Sequence, residues 1–60
     1  MPNKNVLETA IRKLTEANHS LMKKMSETND ERKKEKYSKE ITKNNAMILD
    51  YKFRLENEQN

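Results

Sequence analysis

Large apolar residues recur along this chain at alternating intervals of four and three residues, in two separate stretches. The first stretch contains Leu7, Ile11, Leu14, Asn18, Leu21 and Met25, and the second contains Tyr37, Ile41, Asn44, Ile48, Tyr51 and Leu55. This spacing is the a/d pattern of a coiled coil and places one stripe on each of two helices. Nine residues rather than seven separate Thr28 from Tyr37, so the stripes are out of phase. The phase slip favours a chain that turns back over one that continues as a single helix.

Capping residues predict where the two helices begin and end. Asn5 and Glu8 fit a capping pair, so the first helix is expected over about residues 6–27. Thr28 and Glu31 match a T-x-x-E capping box, and Asn29 can adopt the left-handed conformation that ends a helix. We expect a turn at about residues 27–30 and a second helix over about residues 29–57. The predicted fold is an all-α, antiparallel two-helix hairpin in a single unit, residues 1–60.

The second helix carries a further apolar set beside its stripe, formed by Thr42, Ala46, Leu49 and Phe53. At 100° per residue this set lies on a different side of the helix from the stripe. One hairpin partner covers only one face, so the set predicts a second chain, in a dimeric four-helix bundle or a higher helical oligomer. The expected self-association or partner interface comprises Leu7, Ile11, Leu14, Asn18, Leu21, Met25, Ile41, Ile48, Leu49, Tyr51, Phe53 and Leu55. The alternatives are that Leu49 and Phe53 are simply exposed, or that they dock a different protein.

Two asparagines stand at positions where the stripes require an apolar residue. Asn18 lies in the middle of the first stripe and Asn44 in the second. A buried asparagine at such a position can fix the register and oligomeric state of helices, because a wrong alignment leaves its amide unpaired. The alternative is that one or both face water at an open end of the bundle.

Composition narrows the function classes. A 60-residue chain with 32% hydrophobic residues can build only a small core, which rarely supplies more than about 3–5 kcal/mol, so oligomerisation is the expected source of added stability. Cysteine is absent and there is one histidine, so neither a metal nor a cofactor is expected. His19 has Ser20 and Glu16 nearby but no rigid pocket, and we expect neither an enzyme nor a small-molecule substrate.

The remaining composition bears on location and origin. The longest apolar run is Ala46 to Leu49, so a membrane span is not expected, and the predicted location is the cytoplasm. Frequent Asn, Lys and Met without Gly or Trp is typical of AT-rich genomes, which suggests a phage or mobile-element origin.

A basic ridge runs along one face of the second helix. Its members are Arg32, Lys36, Lys39 and Lys43, spaced by four, three and four residues. The net charge of the chain is only +3, so the net charge alone does not imply a polyanionic partner. The ridge is either an ordinary solvated face or a contact surface for a nucleic-acid backbone or an acidic partner.

Two resemblances accompany these patterns. In length and seam pattern the chain resembles the small plasmid-type RNA-binding hairpin, which implies a dimeric four-helix bundle, although a shared fold does not transfer function. The segment Ser38-Lys39-Glu40-Ile41-Thr42 resembles the S-Q-E-L-D motif of sporulation regulators that dephosphorylate response regulators. Thr42 stands at the position of that family's functional Asp, so no phosphatase activity is carried over.

Together these patterns predict a small, non-enzymatic interaction or regulatory protein. It is expected to form a homo-oligomer and to act by binding another macromolecule, with another protein as the expected partner. The alternatives are a nucleic-acid-binding hairpin that uses the basic ridge, and a structural coiled-coil rod.

Overall fold

The protein consists of two helices packed against each other, as predicted. The structure is a computed structural model that describes residues 4–58, with α1 over Lys4–Glu27 and α2 over Glu31–Glu58. Helices make up 94% of the described chain, which leaves only residues 28–30 for the connection. The hairpin is elongated, with extents of 46 × 14 × 14 Å. This packing rules out a single continuous helix.

The turn between the helices is organised by Asp30, which caps α2. Its Oδ1 accepts hydrogen bonds from the backbone amides of Arg32 at 2.9 Å and Lys33 at 3.3 Å. A carboxylate at this position satisfies two amides that have no partner within the helix and interacts favourably with the positive end of the helix dipole. The first turn closes with a bond of 3.0 Å from the Lys34 amide to the Asp30 carbonyl.

The predicted capping box of Thr28 and Glu31 is therefore wrong. The Thr28 hydroxyl accepts a bond from the Asp30 amide at 3.2 Å, before the helix begins. Glu31 is the first residue of α2, where its charge suits the helix dipole. No residue in the described part of the chain has a positive φ, so Asn29 does not end α1 in the left-handed conformation.

The predicted capping pair of Asn5 and Glu8 is also wrong, because α1, expected from about residue 6, already includes Lys4. Asn5 consequently lies inside the helix rather than at its cap, and Glu8 pairs with the Lys4 ammonium at 3.9 Å. At its other end, Lys24 stands in the last turn of α1, where a positive charge stabilises the helix.

The core is a single seam between the two helices. Over residues 4–57, Leu7 and Leu21 are the only buried apolar residues, with 2% and 8% of their surface exposed, and Asn18 is buried among them at 7%. The other seam residues are half-buried: Ile11, Leu14, Met25, Tyr37, Ile41, Asn44, Ile48, Tyr51 and Leu55. Two helices form one layer, so both edges of the seam stay open to solvent.

The register of the seam follows from the contact between Asn18 and Asn44. In an antiparallel pair, each step forward on one helix is matched by a step back on the other. This register places Leu14 opposite Ile48, Leu21 opposite Ile41, Leu7 opposite Leu55 and Met25 opposite Tyr37. It also brings Thr28 level with Lys34, and both are half-buried beside the turn. The two predicted stripes therefore face each other along their whole length.

Candidate interaction surfaces

An asparagine cluster joins the two helices at the middle of the seam. Asn44 donates from Nδ2 to Asn18 Oδ1 at 3.0 Å, and Asn18 donates from Nδ2 to Asn45 Oδ1 at 2.8 Å. No buried side-chain polar atom in the described part of the chain lacks a hydrogen-bond partner. The cluster thus places the Asn18 amide, whose nitrogen and oxygen both have a partner, in the middle of the seam. The Leu14–Ile48 pair lies on one side of it and the Leu21–Ile41 pair on the other.

Asn45 is the member of this cluster that sequence patterning missed. Its side chain is exposed and lies beside the seam rather than on it. The buried Asn18 amide has both a donor and an acceptor to satisfy, and Asn44 bonds only its oxygen. Asn45 is close enough to bond the nitrogen because the next residue on a helix lies at nearly the same level along the axis.

The outer face of α2, which we define as Thr42, Ala46, Leu49 and Phe53, is uncovered in the hairpin. Leu49 is 71% exposed and Phe53 is 64% exposed, while Thr42 and Ala46 are also exposed. At 100° per residue the centre of this face lies about 150° from the centre of the seam on α2. The α1 helix therefore cannot reach it, and the hairpin presents a pair of large apolar side chains to solvent.

A second surface, which combines apolar and polar side chains, is a shallow groove of about 490 Å³ near the turn. It runs between the helices and is lined by Met22, Met25, Ser26, Lys34, Ser38, Ile41 and Thr42. Met22 is 57% exposed at its edge. The groove meets the outer face at Thr42, so the apolar surface of the hairpin is continuous from the end of α1 across to α2.

All four members of the basic ridge are exposed on α2. Lys39 forms an ion pair with Glu35 at 3.3 Å. Within the described chain, Arg32, Lys36 and Lys43 have no carboxylate within 4.0 Å of their charged nitrogens. The ridge borders the outer face, so an approaching molecule would meet both positive charge and apolar surface.

The residues considered for catalysis show no catalytic arrangement in the part of the chain that the structure describes. His19, Ser20 and Glu16 are all exposed, and none of them hydrogen-bonds to another. Over residues 4–58 no three His, Asp or Glu side chains are grouped so that they could hold a metal ion. Within the same range, neither helix contains a stretch that combines the length and apolarity needed to cross a membrane.

Comparisons of this chain with protein-family models, with curated proteins and with solved structures found no match. Its interaction surfaces are therefore interpreted from their own chemistry.

Proposed function

We propose that this chain is a small, non-enzymatic interaction protein that associates with itself through the outer face of α2 and acts by binding another macromolecule. The observation that carries this proposal is the exposure of Leu49 and Phe53, one helical turn apart, on the side of α2 that α1 does not cover. Two large apolar side chains on one exposed face favour contact with another apolar surface. The intrachain core, with only two buried apolar residues, adds a stability reason for assembly.

The energy available from this face indicates a weak dimer. Full burial of a Leu or Phe side chain is worth about 1.5–3 kcal/mol, and some two thirds of each is exposed here. Pairing two copies would bury four such side chains, for a gross gain of about 4–8 kcal/mol. Association costs at least about 4 kcal/mol in lost translational and rotational freedom. The upper end of this balance, about 4 kcal/mol net, corresponds to a dissociation constant of about 1 mM.

The test compares Leu49→Gln/Phe53→Gln with the wild type by sedimentation equilibrium at about 1 mM, a concentration at which a dimer with a dissociation constant near 1 mM is substantially populated. Gln is a good helix former, so the double variant should retain its helical circular dichroism. Met22→Gln is the matched control, because Met22 is another exposed large apolar residue but lies on α1. We expect the double variant to be monomeric and the control to dimerise like the wild type. A monomeric wild type, or an unchanged double variant, would contradict the proposal.

Nucleic-acid binding is a second candidate, favoured by the three basic side chains of the ridge that have no ion-pair partner in the described chain. Several cations at helical spacing can follow a phosphate backbone and release bound counterions. The test is retention of labelled RNA and DNA at several salt concentrations by wild type and Lys36→Glu/Lys39→Glu. A matched control is Lys13→Glu/Lys23→Glu, which makes the same charge change at exposed positions of α1. Equal retention by the two double variants would eliminate a specific role for the ridge.

A further inference from the structure

The helical repeat that forms the outer face has a positive charge at one end and a negative charge at the other. The next a/d positions before Thr42 and after Phe53 are Lys39 and Glu56, and both side chains are exposed. The flank of the same face carries a second opposite pair, Lys43 and Asp50, also exposed and seven residues apart. Any helix that packs on the outer face meets a positive end and a negative end.

We propose that the occupant of the outer face is α2 of a second copy, packed antiparallel, an inference that rests on the self-association proposed above. With the two-fold axis between residues 47 and 48, small residues meet large ones. Ala46 lies level with the partner's Leu49, and Thr42 with the partner's Phe53. Alternating large and small side chains across an interface allow close packing of the two helices.

The charges select the antiparallel orientation. Lys39 lies level with the partner's Glu56. Lys43 lies on the same flank as the partner's Asp50 and two residues, about 3 Å along the axis, from its level, so each attraction occurs twice by symmetry. A parallel pair would instead bring Lys39 against the partner's Lys39, and Glu56 against the partner's Glu56. Like charges at facing heptad positions oppose association.

The flanking charges, Lys43 and Asp50, can still pair with a partner, whereas Lys39 already pairs with Glu35 at 3.3 Å within the chain. Among the described residues, Lys43 has no carboxylate within 4.0 Å. Asp50 bonds Arg54 Nε through Oδ2 at 3.3 Å, and its other carboxylate oxygen can accept from a second cation.

The same complementarity holds over the part of α2 that the two copies share, which is residues 37–58 when the axis lies between residues 47 and 48. Residues 37–47 carry two basic and one acidic side chain, whereas residues 48–58 carry two basic and three acidic ones. An antiparallel copy places the basic half of one α2 beside the acidic half of the other. The surface is therefore electrostatically complementary to itself in this orientation, and this is what identifies a second copy as the occupant.

The resulting dimer is a flat row of four helices rather than a square bundle. The seam and the outer face lie on nearly opposite sides of α2, about 150° apart, so α1 and the partner's α2 flank each α2 from opposite directions. A square bundle would require the two contact faces of each helix to be about 90° apart. The inferred order is α1, α2, the partner's α2 and the partner's α1.

A mixing experiment with charge-reversed variants tests the orientation. Lys43→Glu alone sets Glu against the partner's Asp50 twice, and Asp50→Lys alone sets Lys against the partner's Lys43 twice. An equimolar mixture of the two variants allows heterodimers in which both contacts are attractive. Each variant carries the same internal changes alone and in the mixture, so loss of the Asp50 to Arg54 pair within a chain cannot produce the rescue.

The readouts are dissociation constants from sedimentation equilibrium and dimer composition from native mass spectrometry. We expect each variant alone to dissociate with a constant about 10-fold above that of the wild type, and the mixture to approach the wild-type value. Heterodimers should exceed the statistical proportion. Lys13→Glu mixed with Asp50→Lys is the control, because Lys13 is exposed on α1, away from the proposed contact. Its heterodimer has one attractive and one repulsive contact, so heterodimers should not exceed the statistical proportion.

Two results overturn the inference in distinguishable ways. If the wild type dimerises but the mixture associates no better than its components, the antiparallel pairing is wrong while self-association stands. If the wild type is monomeric at about 1 mM, both this inference and the proposed function are wrong.

Discussion

Replacing Asn18 with Ala should destabilise the hairpin more than any other single loss of an amide from the asparagine cluster. The Asn18 side chain is 7% exposed and makes hydrogen bonds of 2.8 and 3.0 Å to Asn45 and Asn44. Each bond is worth about 1 kcal/mol net, so removing both should lower the free energy of unfolding by about 2 kcal/mol. A fold of this size has only about 3–5 kcal/mol in total. Roughly half of the stability therefore depends on one side chain.

Comparing variants of the same cluster separates the cost of losing the two Asn18 hydrogen bonds from the general cost of a substitution. Asn45→Ala removes one bond from an exposed side chain and should cost about 1 kcal/mol or less. Ser20→Ala, at an exposed position of α1, should be nearly neutral. In the double variant Asn18→Ala/Asn45→Ala, the two costs should fall short of additivity by about 0.5–1 kcal/mol, because they share one bond.

Urea unfolding followed by circular dichroism at 222 nm measures these differences. All variants must be compared at one protein concentration, since association adds to apparent stability by mass action. The reasoning is refuted if Asn18→Ala unfolds at the same urea concentration as the wild type. It is also refuted if Asn45→Ala costs as much as Asn18→Ala, because the buried amide would then have no special role.

Three further predictions concern the cap, the core and assembly. Asp30→Ala should cost about 1 kcal/mol in urea unfolding, whereas Thr28→Ala should cost less because its hydroxyl bonds an amide that precedes the helix. Equal costs would show that Asp30 is not the cap. Leu7→Ala should cost about 2–3 kcal/mol, since this side chain is 2% exposed, and a cost below about 1 kcal/mol would contradict its burial. The midpoint of thermal unfolding should rise with protein concentration in the wild type but not in Leu49→Gln/Phe53→Gln; a flat wild-type midpoint would argue against assembly.

The two-helix fold was predictable because the signal that encodes it is regular. Apolar residues at intervals of three and four identify a helical face whatever the rest of the chain does, and the structure packs the two faces together. The open outer face was visible in the same way, since Leu49 and Phe53 share a side of the helix that the stripe does not use. Periodicity predicts faces well because it averages over many residues.

The helix caps were not predictable from the same residues, because several side chains near a turn compete for few amides. Thr28, Asn29 and Asp30 are all favoured cap residues. Asp30 is the cap in the structure, where one carboxylate oxygen accepts from two amides. Only the path of the backbone decides which of the three is placed to do so.

The sequence pattern contains the signal for the asparagine cluster, but that signal appears only when the two stripes are compared with each other. Asn18 and Asn44 each interrupt a stripe, and considered separately each could face water. Aligning the stripes in antiparallel order places them opposite each other, which the structure bears out with a hydrogen bond of 3.0 Å. Asn45 has no place in either stripe, so its bond to Asn18 required the three-dimensional arrangement.

The mass of the wild-type protein in solution is the most direct test of the central claim, that an uncovered face of α2 brings copies of this hairpin together. Sedimentation equilibrium over a concentration series up to about 1 mM measures it without labels or substitutions. We expect the weight-average mass to rise with concentration from the chain mass of 7.2 kDa toward twice that value. A mass that stays at 7.2 kDa over the whole series, with the helices intact by circular dichroism, would contradict the claim.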